Sequence, residues 1–377
     1  MRNTDEQKPK SRNRWITIII LSLLGLCMLT AGASFISNQF LPKTSPTPDE
    51  LSQEDLYIAE ETLNLLSALG DQTWPGMNSS VPLLLFNESH AFLINSQENL
   101  ENWWLLEGAE VNNLPVYVQE KEINYQAFTE QLSNGQYAGS MTTKNATNVG
   151  FINLFKQDLP PVISQVFPYQ LMLLSTDQYI TALVHESFHA FQAENYPARF
   201  EDAEKAYRST DTYENLYPEM GEAWETEVQF LIDAIEEKDP TKQIALIQSF
   251  LNTREQRRNS VNLSQAFELY EKRFEWLEGS AKYVELEIWE NCSDPASYQP
   301  VSSIITDNDF DAYQGFDKRW KNELINAKTA AKNGSETLFY YSGMLQARLL
   351  DILTPDWQLK IGDTDIWYED LLADAIS

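Results

Sequence analysis

The sequence predicts an α+β protein, with a small antiparallel sheet beside an HExxH helix, a mostly helical body after it, and an N-terminal transmembrane helix. Short apolar runs separated by Asn, Gly and Pro lie between residues 81 and 155, and this pattern is typical of strands. After Pro160, apolar residues recur at intervals of three and four, which indicates helices. Residues 15–36 are mostly apolar and carry no charge. Strands followed by helices are the α+β arrangement.

The first 36 residues have the pattern of a membrane-targeting segment. Basic residues in the segment 1–14 precede the run 15–36, which as a helix would cross about 30 Å of hydrocarbon. The positive-inside rule therefore places residues 1–14 in the cytoplasm and the body outside the cell membrane, as a single-pass protein. A signal peptide cut after Ala33 is the other interpretation and would give a secreted protein; the length of the apolar run favours the anchor.

The remaining chain is organised as a tether and one extracytoplasmic domain. Residues 37–50 are rich in Pro, Ser and Thr, which predicts an extended linker. Residues 51–377 are enough for a sizeable core, with a helix and the sheet over 51–160 and a helical part with the metal site over 161–377. A helix near 125–132 and a strand at 169–174 are also expected from the local pattern.

Charge and cysteine content exclude several kinds of site. The net charge of −29 repels nucleic acid and anionic headgroups, so no nucleic-acid partner is expected. The same charge would suit cationic peptides, although solubility alone also explains it. Cys27 lies in the apolar run and Cys292 is the only cysteine of the body. The body therefore has neither an internal disulfide nor a thiolate zinc cluster.

A metal-binding motif occurs in the segment ITALVHESFHAFQ, residues 180–192. His185 and His189 are four residues apart, so on a helix both imidazoles project from one face and can reach a single metal ion. Glu186 follows the first histidine and can face a water molecule instead of the metal. The chain has three histidines in all, and two of them fall in this pattern with a glutamate between them. The sequence therefore predicts a zinc site with a catalytic base.

A catalytic zinc site needs a third protein ligand, and the residues leave two candidates open. Glu278 lies in WLEGSAKYVE, beside an apolar stripe at helical spacing, where a buried carboxylate needs a partner. Gly279 is small and lets another helix approach closely. Glu222 and Glu225 are three residues apart on another predicted helix and form the alternative. The third histidine, His90, is expected to be structural.

These strings resemble the gluzincin metallopeptidases, such as the M1-type aminopeptidases with their NEGFA segment. The resemblance implies that Glu278 is the third zinc ligand, and that Tyr340, one turn before Gly343 in FYYSGMLQARLLDIL, stabilises an oxyanion, with Tyr341 as the fallback. The chain departs from the family in the 88 residues between His189 and Glu278, a much longer gap. The family's G-x-M-E-N strand has only a partial counterpart, residues 139–141, without its glutamate, so exopeptidase action is not implied.

Together these features predict a membrane-anchored zinc metallopeptidase. Zinc would be held by His185, His189 and Glu278, Glu186 would be the general base for attack of water on a peptide bond, and Tyr340 would stabilise the oxyanion. Two alternatives stay open: a membrane-tethered binding or sensor protein with a structural zinc site, and a zinc-dependent amidase acting on a non-peptide or cell-wall amide. Glu186 favours catalysis over a structural site, which needs no base.

Overall fold

The computed structural model describes residues 29–44, 47–96, 101–122 and 127–377, and it confirms the α+β class. Its sheet has six strands in the order β3-β4-β2-β1-β6-β5. The strands are β1 Leu83–Phe86, β2 His90–Ile94, β3 Trp104–Val111, β4 Leu114–Glu120, β5 Ala127–Gln131 and β6 Tyr137–Thr142.

The sheet is mixed, so the expectation of a purely antiparallel sheet was wrong. The pairs β1–β2, β3–β4 and β5–β6 join consecutive strands and are antiparallel, as is β2–β4. The pair β1–β6 is parallel, with Leu83 opposite Gly139. Short turns force consecutive strands to run antiparallel, whereas β1 and β6 are far apart in sequence and no turn sets their relative direction.

Two local predictions also differ from the structure. Residues 127–131, expected in a helix, form β5 because they pair with β6 along its whole length. Residues 169–174, expected as a strand, begin instead with a 3-10 turn, Tyr169–Met172. Both segments are too short for the spacing of their apolar residues to distinguish a period of two from a period of 3.6.

Helices make up most of the chain outside the sheet. Residues 29–37 are helical and are labelled α1. The others are α2 Gln53–Thr73, α3 Lys144–Asp158, α4 Pro161–Val166, α5 Thr176–Asn195, α6 Pro197–Ala206, α7 Thr210–Glu214, α8 Gly221–Glu236, α9 Pro240–Ser260, α10 Gln265–Phe274, α11 Ser280–Cys292, α12 Phe316–Asn333, α13 Thr337–Leu353, α14 Trp357–Lys360 and α15 Tyr368–Ala375.

The predicted membrane span falls mostly outside the described residues. Within the described ranges, no helix is both long enough and apolar enough to cross a membrane. Residues 15–28 of the predicted span 15–36 lie outside those ranges.

The chain divides into two compact units. The described part of the small unit is 29–44 and 144–174, and the large unit covers 47–143 and 175–377, less the undescribed residues. The small unit has its own core around Leu41, Ile152 and Tyr169. The large unit contains the sheet, α5 and the helices after it, and every predicted site residue belongs to it.

Within the large unit, the sheet positions α5 through very close backbone packing. A Cβ atom added at Gly139 of β6 would lie only 2.7 Å from the backbone nitrogen of Ser187. The backbone of β6 therefore lies directly against the turn of α5 that carries the HExxH motif. At its start, α5 is fixed by a capping box between Ser175 and Gln178.

Candidate metal centre

Two histidines on α5 form one side of a buried cluster. The Nε2 atoms of His185 and His189 lie 3.1 Å apart, and both side chains are buried. The four-residue spacing on a regular helix brings the two rings together, as the sequence predicted. Both nitrogens can therefore serve as ligands to one ion.

Glu278 completes the cluster, and the structure places it on an unusual turn. Its Oε2 lies 3.4 Å from Nε2 of His185 and 3.3 Å from Nε2 of His189. The apolar stripe predicted as one helix is divided into α10, a π-helical turn Glu275–Gly279, and α11. Such turns shift the register of a helix and are frequent at functional sites. Here the π turn carries Glu278, whose side chain is buried against the histidines.

Close helix packing supports the π turn, as the small residues predicted. A Cβ atom added at Gly279 would come within 2.5 Å of the Cα of Gly343 in α13, and one added at Gly343 would come within 2.4 Å of the carbonyl oxygen of Glu275. The two helices can approach this closely only because both positions are glycine. The contact brings Tyr340, one turn before Gly343, to the cluster.

Gln192 connects the HExxH helix to the π turn. Its Nε2 donates hydrogen bonds to the carbonyl oxygens of Trp276 at 3.1 Å and Leu277 at 3.3 Å. Its Oε1 therefore faces His189 and accepts a hydrogen bond from Nδ1 at 2.8 Å. This bond places the proton on Nδ1 and leaves the Nε2 lone pair of His189 directed at the cluster, the form a metal ligand requires.

Tyr207 fixes the other oxygen of Glu278. It lies in the 3-10 turn Tyr207–Ser209, and its hydroxyl donates a hydrogen bond to Oε1 of Glu278. Burial and the Glu278 carboxylate raise the pKa of Tyr207 far above its usual value, so the hydroxyl remains a donor. With Oε1 engaged, Oε2 is the oxygen available to a metal. No sequence pattern singles out Tyr207, because it is 71 residues from Glu278.

A second carboxylate lies behind His185. Oε2 of Glu285 is 3.6 Å from Nδ1 of His185, a distance for charge interaction but too long for a hydrogen bond. Oε1 of Glu285 is bound by Lys282 at 3.0 Å and by Arg319 at 2.5 Å. Both cations also contact Glu323, so two buried carboxylates and two half-buried cations form a balanced group. Sequence reasoning missed this group because Arg319 and Glu323 come from a different helix.

The start of the π turn is held by a buried ion network. Arg254 donates to Glu275, the first residue of the turn, at 2.6 Å, and also binds Glu227 and Glu369, each at 3.0 Å. Arg257 pairs with Glu227 as well, at 2.5 Å. The position of Glu278 is therefore coupled to charged groups deep in the core.

Glu186 and Tyr340 line a pocket next to the cluster. The pocket has a volume of about 240 Å³. Glu186 is half-buried, and burial raises the pKa of its carboxyl while the two histidines lower it. The ring of Tyr340 stacks on that of His185 at 5.8 Å between centroids. Burial and Glu278 raise the pKa of Tyr340 well above its usual value, so its hydroxyl can donate a hydrogen bond.

The donor set fits a metal ion. The three donor atoms are 3.1, 3.3 and 3.4 Å apart, and ligands at about 2.0–2.1 Å from a tetrahedral zinc lie about 3.3–3.4 Å from one another. Burial lowers the pKa of His185, but Glu278 and Glu285 outweigh it and raise that pKa to about 10. The surrounding carboxylates thus favour a positive charge at the position of the cluster, where a metal ion would lie. His185, His189 and Glu278 form a buried group that could hold a metal ion.

The alternative ligands lie elsewhere in the structure. Glu222 and Glu225 are exposed on α8 and border a separate surface pocket. His90 begins β2, where its Nδ1 shares a hydrogen bond with the Ser89 hydroxyl at 2.8 Å. Tyr341, the fallback for Tyr340, also lines the pocket beside the cluster, but its hydroxyl interacts with Glu323.

Comparisons of the chain with models of protein families, with curated proteins and with solved structures find no match. The functional interpretation therefore depends on the geometry of the site itself.

Proposed function

We propose that this chain is a membrane-anchored zinc metallopeptidase that hydrolyses peptide bonds. One observation carries the proposal. A buried group of two histidines and a glutamate, suited to one metal ion, adjoins a pocket lined by the carboxylate of Glu186 and the phenol of Tyr340. A metal site of this kind beside a general base and a hydrogen-bond donor is the arrangement that hydrolysis of an amide requires.

His185, His189 and Glu278 would hold the zinc ion. Two imidazole nitrogens and one carboxylate oxygen leave a coordination position open, which suits zinc in catalysis. When bound, zinc supplies Lewis-acid polarisation and activates water for attack. Gln192 and Tyr207 would hold one histidine and the glutamate in the orientation that binding needs.

Glu186 would accept a proton from the attacking water and pass it to the leaving amine nitrogen. Tyr340 would donate a hydrogen bond to the carbonyl oxygen of the substrate as negative charge develops on it. Its stacking on His185 holds the hydroxyl group close to the cluster. Proton transfer would thus be the role of Glu186 on α5, and oxyanion stabilisation the role of Tyr340 on α13.

The substrate class we propose is a peptide or protein, with cationic segments preferred. The chain carries a net charge of −29, which attracts positively charged chains and repels nucleic acid. The membrane anchor in this proposal is 15–36, with the body outside the cell. A peptidase in this place would act on peptides that reach the outer face of the membrane.

Metal content and hydrolysis measured on the same full-length variants test the proposal. Wild-type protein should bind one zinc per chain and cleave an unstructured peptide library. Glu278→Gln should lose zinc, whereas Glu222→Gln, a glutamate exposed on α8, should retain zinc and activity. Glu186→Gln should keep the zinc and lose at least a hundredfold in hydrolysis rate.

Three other results would contradict the proposal or favour a different function. A folded wild-type protein without zinc affinity would overturn the catalytic proposal. Zinc binding without cleavage of any peptide would favour a structural site in a binding or sensor protein. Cleavage of purified cell-wall material but not of peptides would favour an amidase.

A further inference from the structure

Exposed apolar side chains are concentrated in the small unit. Among the described residues, eight of the fifteen exposed large apolar side chains belong to this unit, although it is much smaller than the large unit. The most exposed are Leu171 at 83%, Phe40 at 78% and Val162 at 77%. A concentration of exposed apolar side chains on one folded unit marks a place where a partner or a membrane is bound.

Specific contacts bring the exposed residues of two distant segments together. Asn38 Nδ2 donates hydrogen bonds to the carbonyl oxygens of Gln165 at 3.2 Å and Phe167 at 2.9 Å. Leu41 packs into the same small core as Ile152 and Tyr169. The residues around position 38 therefore lie beside the end of α4, and their apolar side chains are exposed next to those of α4.

The charge of the small unit is opposite to that of the chain. Its described residues include the exposed Lys43 and Lys156, the buried Lys144 and only one acidic residue, Asp158, in a protein whose net charge is −29. Lys156 is exposed, and its ammonium group lies 5.5 Å from the centre of the Tyr169 ring. A surface with exposed apolar groups and a basic excess suits the interface of a lipid bilayer.

We propose that the small unit lies in the membrane interface, with Phe40, Val162 and Leu171 inserted among the lipids. A bilayer is the partner we infer, because the small unit follows directly in sequence on residues 15–28, most of the apolar run predicted to cross the membrane. Leu29, Phe35 and Ile36 continue the apolar character into the unit and are exposed. The acidic remainder of the chain is repelled by anionic headgroups and stays in water. The inference rests on the membrane anchor of the proposed function, 15–36, and is independent of the metal site.

Spin labels on the full-length protein in vesicles test this placement. Val162→Cys and Leu171→Cys would each be labelled in a Cys27→Ser background, since the remaining Cys292 is buried. Leu359→Cys is the matched control, because Leu359 is 67% exposed but belongs to the large unit. Accessibility to oxygen, which enters lipid, is compared with accessibility to a water-soluble nickel complex. Vesicles contain phosphatidylcholine with phosphatidylglycerol.

The labels in the small unit should be more accessible to oxygen than to nickel, and the label at Leu359→Cys should show the reverse. Adding Leu171→Glu should increase the nickel accessibility of the label at Val162→Cys severalfold, whereas Leu359→Glu should leave it unchanged. Nickel accessibility equal to that of the control at both small-unit positions would overturn the inference. Flotation of the same samples with vesicles reports separately on the anchor.

Discussion

Replacing Gly343 by alanine tests whether close packing of α13 on the π turn sets the metal site. The added Cβ would lie 2.4 Å from the carbonyl oxygen of Glu275 and 2.8 Å from the Cα of Gly279. Ordinary contact begins near 3.4 Å, so the two elements must separate by about 1 Å. Neither obstacle is a flexible side chain, so the backbone itself has to move. That movement takes Tyr340 away from Glu278.

The expected cost follows from overpacking. Inserting a methyl group into a packed core costs about 1–3 kcal/mol, whereas a glycine-to-alanine change within an unobstructed helix gains about 0.5–1 kcal/mol. The sign of the change therefore separates the two cases. For a domain of this size the melting temperature should fall by about 2–10 °C. Zinc affinity should fall as well, because Glu278 and the histidines lie on elements that shift relative to α13.

Differential scanning calorimetry and competition with a zinc chelator measure both effects. Gly32→Ala in α1 is the control, since its added Cβ would meet nothing within 4 Å, and it should be neutral or slightly stabilising. A Gly343→Ala protein as stable as wild type, with unchanged zinc affinity, would refute the reasoning. A drop in stability without a change in zinc affinity would show that α13 packs tightly but does not set the metal site.

Three further predictions concern the groups around the site. Tyr207→Phe should weaken zinc binding about 10- to 100-fold in chelator competition, because Oε1 of Glu278 loses its donor; an unchanged affinity would contradict this. Arg254→Met should lower the free energy of unfolding by about 3–5 kcal/mol in urea, since it leaves buried carboxylates unpaired; a neutral result would count against the network. Burial raises the pKa of Glu61 from 4.5 to about 7, so its contribution to stability is complete below about pH 4.5 and is lost as pH rises through 7. Glu61→Gln should reduce this loss, about 3 kcal/mol at most, in urea unfolding at pH 5 and pH 8; an identical pH dependence in both proteins would disprove it.

The sequence predicted those parts of the site that depend on local periodicity. His185 and His189 are one helical turn apart, and that spacing alone places their rings together. Glu278 was recognised because it lies beside a buried apolar stripe, and the small Gly279 indicated close packing. The α+β class followed from the change near Pro160, where short apolar runs typical of strands give way to apolar residues at helical spacing.

The parts that sequence reasoning missed depend on contacts between distant segments. Tyr207, Gln192 and Glu285 act through side chains whose partners are fixed by the tertiary fold, and no local period marks them. The π turn was also missed, because a one-residue insertion changes a helical apolar stripe too little to be recognised. The parallel pairing of β1 with β6 was missed because the two strands are far apart in sequence and no local pattern marks their contact.

The arrangement of donors along the chain has a consequence for when metal can be acquired. His185 and Glu278 are 93 residues apart, and the link through Gln192 requires both α5 and the π turn to be in place. Contacts of such long range are slow to form, because the entropy of closing a long loop opposes them. If the chain crosses the membrane unfolded to reach the extracytoplasmic location proposed above, the site forms only on the far side. The metal would then be drawn from the extracytoplasmic pool, and zinc supply outside the cell would determine how much of the protein is loaded.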